Sequence, residues 1–157
     1  MDTEKLTSDH STLAAELFLK GYNCAQAVAV AFCDVTGLDE TLSARLSSSF
    51  GGGLGRLREV CGAVSGMAMV AGVLYGYDDA QDDAAKKDHY ELIQKLAGEF
   101  RQRMGTIICR ELLDNPPADP TPSLRTAEYY ANRPCARFVM AAAEILDDYI
   151  QKNPPQK

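Results

Sequence analysis

The chain has 157 residues, enough for one domain to bury a continuous core without disulfides or metals to hold it together. Sixteen basic against 22 acidic residues leave a net charge of -6, which opposes the phosphate contacts that dominate nucleic-acid affinity, so no nucleic-acid partner is expected. Met1 to Thr12 is polar and lacks the apolar run of a secretory signal, so a cytoplasmic protein is expected, and there five cysteines point to metal binding, transient redox chemistry or burial.

A first helix is predicted from about Ser11 to Lys20, with Leu13, Leu17 and Phe18 on its apolar face and Gly21 as its stop. Loose ends are expected at residues 1–10 and 153–157. Asn23 is placed to cap the next helix, with Gln26 completing a capping box, and that helix should end near Gly37. A short polar helix or turn follows, then the loop Gly51-Gly52-Gly53-Leu54-Gly55. Val60 to Tyr77 carries no charge and approaches the length of a membrane span. Gly62, Ala63, Gly66, Ala68, Gly72 and Gly76 dilute it, so we expect a buried central helix that neighbours approach closely, without membrane insertion. Its small-residue surface also suits a homodimer interface.

Asp78, Asp79, Asp82 and Asp83 form an acidic entry to a long amphipathic helix carrying Leu92, Leu96 and Phe100, with Gly105 marking its end or a kink. Thr106 should start a further helical segment to Leu113, and the proline-rich stretch 115–122 must be irregular. Pro134 opens the last helix, whose apolar face is Val139, Ala142, Leu146 and Ile150. No segment alternates as a strand would, so the fold class is all-α, a single-domain bundle of five or more helices spanning 1–157.

Four of the five cysteines fall at predicted helix starts: Cys24, Cys61, Cys109 and Cys135. Unpaired amides and the positive end of the helix dipole favour a thiolate there. Cys33 is set apart, because nine steps of about 100° on the helix that starts at Cys24 carry it to the opposite face, beside core-like neighbours Ala29, Val30 and Phe32. Cys61, after the glycine loop and near Arg56 and Arg58, is expected to have the lowest pKa, provided amides and arginines outweigh desolvation.

Gly21-Tyr22-Asn23-Cys24-Ala25-Gln26, then Cys61-Gly62-Ala63-Val64-Ser65-Gly66, then Cys109 and Cys135, resemble the redox-active protein family named for its C-GCAxxG-C-C pattern. The resemblance runs from about Gly21 to Ala143, and it implies a redox role for the four pattern cysteines.

Three functions stay open on these residues. The preferred one is dithiol–disulfide exchange or electron transfer with an unidentified redox partner, as in a thiol oxidoreductase. The alternative is a metal site in which Cys24, Cys61, Cys109 and Cys135 ligate zinc or an iron–sulfur cluster. The third is a helical interaction module in which the thiols merely pack. Other signals are weaker. The glycine loop lacks the Lys-Ser/Thr ending of a P-loop, Arg56 stands where a dinucleotide fingerprint needs glycine, and turning tightly beside Cys61 explains it better. His89 fits a solvated helix face, and His10 precedes the first predicted helix without an evident partner.

Overall fold

The computed structural model describes residues 3–156, so Met1, Asp2 and Lys157 of the expected loose ends lie outside the described residues. Nine α-helices are present among the described residues: α1 Thr3–Leu19, α2 Cys24–Ala31, α3 Cys33–Thr36, α4 Glu40–Ser47, α5 Gly62–Tyr75, α6 Asp83–Met104, α7 Cys109–Leu112, α8 Ala127–Asn132 and α9 Cys135–Lys152. A 3-10 turn, Ser48–Phe50, follows α4. The protein is all-α, with no strand among the described residues and a single isolated antiparallel bridge between Val60 and Ile108.

Two helix pairs organise the core: α1 lies along α9, and α2 lies against α5. The α2–α5 contact is made possible by missing side chains. A Cβ on Gly66 would come 2.7 Å from the Ala25 carbonyl oxygen, and one on Gly62 would come 2.9 Å from the Phe50 carbonyl oxygen and 3.2 Å from the Cys24 Cβ. The Gly-Ala-x-x-Gly spacing therefore lets the start of α5 seat directly on the start of α2. As expected, α5 is buried over Gly62–Gly66, Met67, Val70 and Ala71, apart from half-buried Ser65, and its last turn reaches the surface at Val73. Among the described residues no helix is long and apolar enough to cross a membrane.

Local chemistry sets the helix ends. Asn23 accepts from the Gln26 amide while Gln26 returns a bond to the Asn23 amide, the reciprocal box that starts α2. Gly37 and Gly105 end α3 and α6 in the left-handed conformation. Leu96 and Phe100 of α6 and Val139, Ala142 and Leu146 of α9 enter the core, with Leu92 and Ile150 partly buried against it.

Several expectations need correction. The first helix begins at Thr3 rather than Ser11, and its buried face is His10, Ser11, Ala14, Leu17 and Phe18, with Leu13 exposed. His10 lies inside α1 and has two partners: Nδ1 bonds Asp147 of α9 at 2.7 Å and Nε2 bonds Asp34 of α3 at 2.9 Å, with the ring stacked on Phe32 at 4.3 Å. The helix that starts at Cys24 breaks at Phe32, so Cys33 opens a separate turn and is half-buried rather than a core residue. The central helix starts at Gly62, two residues later than the uncharged stretch, and the six-residue α8 had no signal beyond its Thr126 cap.

Candidate functional site

All four pattern cysteines line one cavity of about 380 Å³. Each sits at a helix start: Cys24, Cys109 and Cys135 are the first residues of α2, α7 and α9, and Cys61 is the N-cap of α5. Every one of them is buried and none is in a disulfide. The backbone carries them there by two routes. The glycine contacts described above bring Cys24 to Cys61. Cys61 is then tied to Cys109 by pairing of the flanking segments, in which the Cys61 amide donates to the Ile107 carbonyl at 2.8 Å and the Cys109 amide to the Glu59 carbonyl at 2.6 Å. Gly53 completes the fit, since a Cβ there would meet the Cys109 Cβ at 2.8 Å.

Cys24 and Cys135 influence each other across this cavity, and the effect on the two thiols is opposite. The neighbouring Cys24 thiol, opposed by burial and assisted by the charges of Arg133 and Arg125, lowers the Cys135 pKa to about 7. The neighbouring Cys135, together with burial, holds the Cys24 thiol well above its ordinary value. The pair therefore favours ionisation at Cys135 over Cys24.

Cys61 is the opposite of what its position led us to expect. Burial pushes its thiol up to about 12, against the lowering influence of the Ala63 and Val64 amides. Two amides at the mouth of α5 do not offset the loss of water around the sulfur. Nor does a nearby arginine compensate, because Arg58 turns away to Cys109, placing Nη1 3.7 Å from the Cys109 sulfur.

Arg58 is the most unusual cation of the site, being 4% exposed and in a left-handed backbone conformation with φ 63°. Its Nε donates to the Pro117 carbonyl at 3.0 Å, and its Nη2 is buried without a hydrogen-bond partner. Leu54 and Arg56 share the positive φ, as do Gly52, Gly53 and Gly55, so the glycine-rich segment is a tight, repeatedly left-handed loop. It folds against the cysteines, in keeping with the turning role read from the sequence.

Arg125 donates to the carbonyls of Phe18 and Tyr22 and lies over the Phe18 and Tyr129 rings at 4.5 and 5.0 Å. Arg133 lies over the other part of this aromatic wall, 5.1 Å from the Tyr129 ring centre. The sequence analysis missed both arginines. A signal for one of them was present in Arg133-Pro134-Cys135, a cation two residues before a thiol at a helix start. Cys33 lies outside the cavity, its sulfur 4.0 Å from the Ala29 carbonyl oxygen. His89 is also remote, half-buried and edge-on to Tyr77.

Among the described residues no group of three or more His, Cys, Asp or Glu side chains is gathered closely enough to hold one metal ion. The four thiols share a cavity without forming a ligand set, so they do not fit zinc or a cluster as they stand.

Residues 22–149 match the family model described as "Putative redox-active protein (C_GCAxxG_C_C)". The chain belongs to this family. The match covers all four cysteines at the cavity, the glycine loop and Arg58, Arg125 and Arg133. Comparison with curated proteins and with solved structures gives no match.

Proposed function

We propose that this family member is a dithiol–disulfide exchange protein in which Cys135 attacks and Cys24 resolves. The observation that carries this reading is that Cys24 and Cys135, each the first residue of its helix, line one cavity with Arg125 and Arg133 and are shifted in opposite directions, Cys135 down to about 7 and Cys24 well above its ordinary value. A thiol near pH 7 is largely ionised in the cell yet retains its nucleophilicity, which falls as the pKa falls further.

The reaction follows from that asymmetry. The Cys135 thiolate attacks one sulfur of a substrate disulfide, the substrate S–S bond breaks, and the departing thiolate takes the Cys24 proton. The Cys24 sulfur then displaces the bound half from Cys135 and becomes joined to it. Two electrons pass to the substrate, which leaves as one thiol and one thiolate that takes its proton from water, and the protein is left with a Cys24–Cys135 disulfide that an external dithiol reduces again. Arg133 and Arg125 supply the positive field for the thiolate. Cys61 and Cys109 border the same cavity and stay reduced in this scheme.

Site-resolved alkylation of the fully reduced protein across pH 5 to 10 tests the assignment. Cys135 should react first, with a midpoint at about pH 7, and Cys61 should stay inert through neutral pH. Faster labelling of Cys61 or Cys24 than of Cys135 at pH 7 would overturn it.

A further inference from the structure

The protein is acidic overall, yet the cavity beside Cys135 is lined by Arg56, Arg58, Arg125 and Arg133 and by no aspartate or glutamate. Arg56 is already matched by Asp119, through the carbonyl at 3.1 Å and the carboxylate at 3.7 Å. The other three have no ion pair with a carboxylate among the described residues. Glu59, next to Arg58 in sequence, is paired to Arg110 at 2.7 Å instead. Arg58 adds an independent observation: its guanidinium is buried at the cavity wall, two of its nitrogens are used, and Nη2 is left without a partner. A buried guanidinium with an unsatisfied donor is costly unless something accepts from it, and guanidinium geometry suits carboxylate and other oxyanions.

We propose that the cavity recognises an anionic substrate, a low-molecular-weight disulfide whose carboxylate accepts from Arg58 Nη2 while its sulfur meets Cys135. The proposal rests on the exchange reaction above and names its substrate class. The cavity is at the small end of the range for ligand pockets, which fits a compact disulfide and excludes a folded protein domain from entering. Arg125 and Arg133 line the same wall as the thiol pair, so a negative substrate is drawn to the place where the attacking sulfur ionises. The anionic group therefore selects the substrate, and the disulfide reacts by the balanced two-electron exchange already written. A free inorganic oxyanion shares the carboxylate's hydrogen-bonding chemistry and is separated from it by the test.

Three disulfides of similar size and different charge decide the matter: dithiodipropionate, hydroxyethyl disulfide and cystamine, which are dianionic, neutral and dicationic. Pre-reduced protein should reduce the dianion at least about tenfold faster than the dication at low salt, with the gap narrowing as salt is added. Arg58→Gln should shrink that ratio to about threefold or less. Because Arg58 is buried and its loss could unfold the chain, Arg133→Gln serves as a second variant, and using the ratio cancels any change in Cys135 nucleophilicity. Equal rates for all three disulfides, or a preference for cystamine, would overturn the anionic-substrate proposal while leaving the exchange reading intact. A Cys24→Ser/Cys135→Ser variant, titrated calorimetrically with dithiodipropionate and with sulfate, separates the two claims. Binding of dithiodipropionate there, without turnover by the wild type, would support the anion site and sink the exchange reading. Binding of sulfate alone would make the cavity an inorganic oxyanion site and overturn the proposed substrate.

Discussion

Cys24, the first residue of α2, and Cys135, the first residue of α9, line the same cavity and are shifted in opposite directions, Cys135 down and Cys24 up. Neither helix start would produce the same chemistry alone. The charges of Arg133 and Arg125 favour the Cys135 thiolate, and the neutral Cys24 thiol is a donor at the same cavity, from which much of the water is excluded.

Removing that donor should therefore be visible on its partner. In Cys24→Ala the Cys135 alkylation midpoint should rise from about 7 toward the ordinary thiol value of 9.0, while Cys24→Ser, which can still donate, should hold most of the depression. A midpoint unchanged in the alanine variant would assign the effect to Arg133 and Arg125 instead.

Helical glycines in this chain should respond to alanine in opposite directions. At Gly66 a Cβ would press on the Ala25 carbonyl oxygen at 2.7 Å, backbone that cannot swing aside, so Gly66→Ala should destabilise by about 1–3 kcal/mol and spread the cysteines. At Gly98, inside α6, nothing lies within 4 Å, and alanine should stabilise by about 0.5–1 kcal/mol through helix propensity. Urea melts of the two variants check both signs, and thiol reactivity should change only in the first.

What could be read from the sequence, and what could not, divides along physical lines. Capping and periodicity act locally, so Asn23, Gln26 and Pro134 marked helix starts and Gly105 stands at the end of α6, whereas Gly37 ends α3 because the helix from Cys24 has already broken at Phe32. The placing of thiols at helix starts was equally local, and Cys24, Cys61, Cys109 and Cys135 do stand at helix starts around one cavity. The Cys61 assignment failed because its sign depended on desolvation against donors, a quantity set by how α5 packs on α2. Arg125 and the acidic partners of His10 were invisible for a similar reason, since Arg125 meets Phe18 and His10 meets Asp147 only when α9 and the loop before it fold back on α1.

That His10 contact makes stability depend on pH. Burial alone would lower the His10 pKa, but the bonds to Asp147 and Asp34 raise it to about 9, above its ordinary 6.5. The stabilisation is therefore complete below about pH 6.5 and is lost as pH rises through about 9. The gap corresponds to an upper limit of about 3 kcal/mol. Burial raises the Asp147 carboxyl despite the imidazolium beside it, so the His10 charge is what allows Asp147 to stay ionised inside the fold. In a Cys24→Ser/Cys135→Ser background, which removes the thiol pair that titrates near pH 7, stability between pH 6.5 and 9 should fall more steeply with His10 than with His10→Asn. Parallel curves would contradict the assignment.

Cys33 provides a control. It is half-buried in α3 and does not line the cavity, so Cys33→Ala should cost less than about 1 kcal/mol and leave the oxidised thiol count unchanged. Loss of a disulfide in that variant would bring Cys33 into the chemistry.

The central claim concerns which two sulfurs exchange electrons. Peptide mapping of the protein after stoichiometric oxidation under native conditions tests it most directly. The account predicts a Cys24–Cys135 disulfide that dithiol reductants reverse, with Cys33, Cys61 and Cys109 recovered as free thiols. A disulfide joining Cys61 to Cys109, or a mixture without preference for the Cys24–Cys135 pair, would contradict it.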